Sequence, residues 1–91
     1  MRMRFVWHEP KRRATLKARG LDFADSHRVF AGPSLTFSDD REDYGEVRWV
    51  TLGLLGGRVV VIVHTETDDE IRVISMREAN QHEQHLFFAN I

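Results

Sequence analysis

Arg58-Val59-Val60-Val61-Ile62-Val63-His64, then Thr65-Glu66-Thr67-Asp68-Asp69-Glu70, then Ile71-Arg72-Val73-Ile74-Ser75-Met76-Arg77, is the stretch that decides the fold of this 91-residue chain. An unbroken run of β-branched residues, a short acidic segment and a second β-branched run predict a strand, a tight turn and a partner strand. Val59 to Val63 are apolar on both parities, so both faces of the first strand are expected to be covered, which places it in the middle of a sheet. Beyond the hairpin, Ser75 and Glu78 have the S-x-x-E spacing of a capping box. That spacing predicts a helix leaving the second strand directly, with Met76, Ala79, Leu86 and Phe87 as its apolar stripe.

On the N-terminal side, Gly56-Gly57 is read as the turn that joins a strand over Val47–Leu54 to the central one. Leu35-Thr36-Phe37 suggests a short strand, and the polar run 38–45 a loop. Met1, Met3, Phe5 and Trp7 alternate with Arg2 and Arg4 as in a half-buried first strand. A helix from about Pro10 to Arg19 follows and ends at Gly20. Asp22 is read as the N-cap of a second helix, with Phe23, Ala24, His27 and Phe30 on one face and Gly32-Pro33 as its stop. The expected order is β-α-α-β-β-β-β-α, an α+β fold with a mainly antiparallel sheet packed by helices, in a single domain over 1–91.

The chain has no cysteine, which excludes disulfides and thiolate zinc sites. No segment approaches the roughly 18 apolar residues of a membrane span, so a soluble, cytoplasmic protein with no membrane partner is expected. The net charge of −1 hides a polarised distribution. Residues 1–20 carry seven Lys/Arg against Glu9 alone, while the remainder carries six against thirteen Asp/Glu. Such a basic block attracts phosphates or an acidic partner surface, and a solvated helix face would read the same way.

Several residues are candidates for chemistry. Arg77, placed by the capping box in the first turn of a helix, would sit beside free N–H groups able to share a phosphate with it. Lys11, Arg12 and Arg13 cluster at the start of the first helix, with Arg4 nearby. Trp7 is a candidate for stacking on a base, as are Tyr44 and Trp49, although the parity of Trp7 with Met3 and Phe5 favours core packing. His8 and His64 are possible general bases near neutral pH. His82 and His85 flank Glu83, but a structural zinc site needs four ligands and no second cluster supplies them, so no metal or cofactor is expected.

Four ordered pieces, Phe5-x-Trp7-x-x-Pro10-Lys11, Gly20-Leu21-Asp22-Phe23-Ala24-Asp25, Arg48-x-x-x-Leu52-Gly53 and Val73-Ile74-Ser75-Met76-Arg77-x-Ala79, together resemble the BrnT toxins of type II toxin–antitoxin systems. The resemblance implies a RelE-like fold and a metal-independent ribonuclease that arrests translation. It also implies a BrnA-like ribbon-helix-helix antitoxin, a hetero-oligomer formed with it, and DNA contact only through that complex. Carried onto this chain, it makes Arg77 the first choice for transition-state stabilisation, with Arg48 and Lys11 second. Arg12, Arg13, Arg4 and Trp7 are then RNA-binding candidates. The chain departs from the family's pattern at His8, Arg19 and Thr67, positions where aspartate, histidine and arginine are common. A second expectation therefore stands beside the first: a catalytically degenerate member that holds the antitoxin in a DNA-bound repressing complex.

Overall fold

A computed structural model describes residues 3–41 and 43–91. The expectations on Met1, Arg2 and Glu42 fall outside these residues. The chain order is β1 (Arg4–Trp7), α1 (Glu9–Arg19), a 3-10 turn (Phe23–Asp25), α2 (Ser26–Ala31), β2 (Ser34–Asp39), β3 (Arg48–Leu55), β4 (Arg58–Glu66), β5 (Glu70–Glu78) and α3 (Gln81–Ala89). The five strands form one sheet in the order β1-β5-β4-β3-β2. The run from Arg58 is therefore the central strand, as its two apolar parities require. Among the described residues, only the β1–β5 pairing is parallel.

The β3–β4 hairpin pairs Leu55 with Arg58 across a two-residue loop, with Gly56 and Gly57 at φ of 58° and 81°. Two successive left-handed residues make the turn whose twist matches antiparallel strands, and glycine takes that conformation without Cβ strain. At the other end of β4, register shifts between Val63 and His64, where Ile74 of β5 is the extra residue.

Pairing places side chains on two faces. On the back face, Val60, Ile62, Val73 and Met76 pack with Leu21, Phe23 and Val29 from the segment that includes α2. On the front face, Val50, Leu52, Val59 and Val61 pack with Ala79 and with Phe87 of α3. α1 buries none of its own residues and closes at Gly20, whose N–H reaches the Leu16 carbonyl at 2.9 Å.

Two expectations are corrected. The helix predicted at Asp22 is divided: Asp22 accepts from Ala24 N–H at 2.9 Å and caps the 3-10 turn, and α2 starts only at Ser26. The helix predicted from Ser75 does not begin there. β5 continues to Glu78, because Val61 and Val60 of the long central strand pair with Arg77 and Glu78. The capping box belongs instead to Asn80 and Glu83, three residues apart, with Asn80 Oδ1 accepting from Glu83 N–H at 2.8 Å and Glu83 accepting from Asn80 N–H at 2.9 Å. Of the expected stripe, Met76 points from the strand into the back core, Phe87 is buried under the front face and Leu86 is 37% exposed.

His64 is also reassigned. Its ring is fully buried on the back face, with Nε2 2.7 Å from Thr51 Oγ1, which in turn is 2.7 Å from Thr36 Oγ1. The edge of Phe30 closes over it at 4.9 Å between ring centres. A ring enclosed in this way cannot act as a base toward a bound substrate. Burial disfavours the imidazolium and pushes the pKa down to about 4. The unfolded chain consequently takes up this proton first as pH falls. Stability from His64 should be complete above about pH 6.5 and be lost progressively toward pH 4, by roughly 2–3 kcal/mol. Chemical denaturation of the wild type and His64→Gln at several pH values between these limits checks this: the variant should lack that slope.

Close packing of α2 on the sheet depends on Gly53, where an added Cβ would fall 2.5 Å from Val29 Cγ1. Val29 is itself fully buried and stiff at χ1, so it has little room to yield. Gly53→Ala is expected to lower the unfolding free energy by about 1–3 kcal/mol, measured as a reduced denaturant midpoint.

Candidate active site

Side chains that face one another across the front of the sheet form rows. One runs Phe37–Val50–Val63–Ser75 and the next Leu35–Leu52–Val61–Arg77. α3 covers the end of this face nearest Leu52 and Val59, while Phe37 in the first row stays exposed. The result is a hollow of about 480 Å³, floored by Val50, Val61 and Val63, flanked by Phe37 and Ser75, and rimmed by Ser38, Asp39, Asp40, Arg41, Arg77 and Glu83.

Arg77 stands at one side of this hollow. Its two terminal nitrogens meet the Glu83 carboxylate in a fork, NH1 to Oε1 at 2.8 Å and NH2 to Oε2 at 2.7 Å. The fork holds the arginine's pKa up and the glutamate's below the usual carboxylate range. Because Glu83 also closes the capping box, the helix start fixes the position of this guanidinium. Arg41 stands on the other side, clamped on Asp39 through Nε to Oδ1 at 2.8 Å and NH2 to Oδ2 at 2.9 Å. The Asp39 side chain is almost fully buried beneath it, and the Arg41 hydrogen bond is the main reason its pKa is lowered. The two arginines are near enough for their like charges to oppose each other.

The other residues singled out in the sequence are dispersed. Arg48 lies on the same face, opposite Asp39 in register, but does not line the hollow. Its guanidinium lies 3.9 Å from the centre of the Tyr44 ring, and its Nε is buried with no hydrogen-bond partner among the described residues. Lys11 is exposed on α1 and does not line the hollow. Arg12 is bound to Asp22 at 2.8 and 3.1 Å and to Glu9 at 2.8 Å, tying α1 to the segment after it. Arg13 is exposed, 4.0 Å from Glu9. Arg4 pairs with Glu70 across the β1–β5 join. Trp7 is half-buried against the back core and donates to Glu9 at 3.0 Å. Trp49 shares its back-face row with His64 and Val73. His8 occupies the N-cap position of α1 without a capping bond from its side chain.

Sequence reasoning missed Phe37, Arg41 and Glu83 as site residues. The signal for Glu83 is present in Asn80-x-x-Glu83, five residues after the competing Ser75-x-x-Glu78 pattern. For Arg41 no local signal existed, since it sits just past a strand that was read as shorter than it is. Among the described residues, no three His, Cys, Asp or Glu side chains gather as a metal-binding group, and no helix is long and apolar enough to cross a membrane.

The fold and site thus define a small α+β protein with an arginine-flanked hollow on the open part of its sheet. Residues 7–83 match the family described as the ribonuclease toxin, BrnT, of type II toxin–antitoxin systems, and the chain belongs to that family. It is also similar to the crystal structure of the Brucella abortus ribonuclease toxin BrnT, with 29% identity, a TM-score of 0.69, and coverage of 87% of this chain and 99% of that one. No curated protein matches the sequence.

Among the described residues, three carboxylates face two guanidiniums around the hollow, so removing one negative charge should favour anions. Glu83→Gln keeps an oxygen for the Asn80 N–H and removes the charge that occupies Arg77. Phosphate-dependent thermal stabilisation of the variant is expected to exceed that of the wild type, with half-saturation at several-fold lower phosphate.

Proposed function

We propose that the chain is a single-domain RelE-like endoribonuclease toxin that cleaves RNA without a metal ion, arrests translation in the cytoplasm and is neutralised by a BrnA-like ribbon-helix-helix antitoxin. The observation that carries this reading is the place of Arg77: a guanidinium at the edge of an open sheet hollow, set by a helix cap and holding a carboxylate where a phosphate would fit. In the reaction, the 2′-oxygen of a nucleotide attacks the adjacent phosphorus and the bond to the 5′-oxygen breaks. The 2′-hydroxyl loses a proton, the departing oxygen gains one, and a cyclic phosphate remains. Negative charge grows on the non-bridging oxygens, and Arg77 is the group proposed to stabilise it once the phosphate displaces Glu83.

Arg48, on the same face opposite Asp39, is the second cation proposed for the substrate. Lys11, Arg13 and Arg4 are proposed to meet RNA farther along its backbone, on the β1–α1 side. Arg12 and Trp7 would contribute there chiefly by holding α1 and β1 in place. The antitoxin, by joining the toxin in a hetero-oligomer, would bring it to DNA indirectly.

The clamped state of both arginines favours a second reading, a family member whose remaining role is to hold the antitoxin in a repressing complex. Expression of the chain alone in bacteria separates the two. Growth arrest with a fall in amino-acid incorporation, relieved by the co-expressed antitoxin, supports the toxin, and normal growth at good yield supports the binding module. Arg77→Ala is expected to abolish arrest while changing stability by less than about 1 kcal/mol, because its ion pair is half exposed. An unfolded Arg77→Ala chain would make the residue structural and end the assignment.

A further inference from the structure

We infer that the hollow seats one nucleotide of the substrate RNA, with its base stacked on Phe37 over the valine floor and its phosphate directed toward Arg77. The assignment rests on the chain's acting on RNA and adds the residue that holds the base.

Composition of the hollow is the first argument. Its floor is three valines, and Phe37 stands beside them on β2, an edge strand, with 41% of its surface exposed. Val50 and Val61 are buried beneath the hollow, but an aromatic ring this exposed beside the half-buried Val63 is costly in water unless something covers it. Its size, about 480 Å³, is in the range of small-ligand sites. Electrostatics supply the second argument. With Asp39, Asp40 and Glu83 against Arg41 and Arg77, the rim does not attract phosphate strongly as a whole. A ligand must therefore gain affinity from the apolar floor, and a nucleobase does so through its flat face. Arg77 then fixes where the phosphate lies, and the two requirements together describe a nucleotide better than a free anion. The residue that carries the base is Phe37 and not Trp7, whose ring belongs to the back core.

Titration calorimetry on the full chain with AMP, ribose 5-phosphate and inorganic phosphate tests this. AMP should bind about 5- to 100-fold more tightly than ribose 5-phosphate. Phe37→Leu, which keeps apolar bulk but removes the ring, should lose most of that difference with ribose 5-phosphate unaffected, and Phe37→Tyr should retain it. Equal binding of AMP and ribose 5-phosphate, or a Phe37→Leu variant that binds AMP like the wild type, overturns the proposal. A Phe37→Leu variant that keeps AMP affinity but loses antitoxin affinity also overturns it and gives the hollow to the protein partner. RNA cleavage by the same wild-type preparation is assayed alongside. Cleavage without base-dependent binding removes the seat and leaves the enzyme, whereas base-dependent binding without cleavage does the reverse.

Discussion

The mismatch between the last helix and the strand it covers shapes the front of this molecule. α3 and β4 have nine residues each. At 1.5 Å per helical residue and about 3.3 Å per strand residue, the helix is about 14 Å long and the strand about 30 Å. Ala79 and Phe87 can therefore join one packed cluster with Leu52, Val59 and Val50, but Phe37, at the β2 end of its row, is left 41% exposed. Among the described residues, the back face is more fully covered. There the 3-10 turn and α2 pack against Ile62, Met76 and Val60, and Gly53 lets α2 approach the sheet without a Cβ between them.

The same geometry explains why the chemistry collects at the junction of β5 and α3. Arg77 is delivered by strand pairing with Val61, and Glu83 by the first turn of the helix. One carboxylate thus closes a helix cap and holds a guanidinium, so forming the helix and positioning the arginine are a single event. The exposed side of such an ion pair contributes little to stability, but its fork geometry orients the guanidinium plane. An anion that replaced Glu83 would find that plane already directed toward the hollow. Arg41 on Asp39 repeats the device from the opposite side, with the carboxylate as the buried partner.

How much of this was legible in the sequence follows from the range of each interaction. The two-faced character of β4 was readable, because five consecutive β-branched residues are a local pattern, and so was the glycine turn before it. The end of β5 was not. Ser75-x-x-Glu78 and Asn80-x-x-Glu83 are equally good capping patterns, and the choice between them depends on whether β4 still has unpaired residues opposite Arg77, which is a fact about the partner strand. His64 was misjudged for a related reason. Its parity with Val60 and Ile62 puts it on the back face, but whether a residue near the strand end is enclosed depends on Phe30 of α2 and Thr51 of β3, neither visible from the histidine's neighbours. Within the candidate site, Arg77 and Arg48 could be chosen from family pattern. Arg41 depends on β2 running two residues beyond Phe37, to Asp39, and the role of Phe37 depends on its register with Val50; only sheet pairing shows either.

The basic N-terminal block illustrates the opposite error, in which a local signal is clear but its meaning is set elsewhere. Seven cations in the first twenty residues suggest one continuous phosphate-binding surface. In the fold, Arg4 is paired across to β5 and Arg12 is committed to Asp22 and Glu9, so these two charges do structural service between elements. Lys11 and Arg13 remain exposed on a helix that buries none of its own residues. A helix with no core of its own is held by such side-chain ties, of which the Arg19 guanidinium donating to the Met76 carbonyl at 2.9 Å is another. That last bond joins α1 to β5 at the residue before Arg77. The strand that carries the candidate catalytic arginine is therefore gripped from both sides, by α1 through its backbone and by α3 through Glu83.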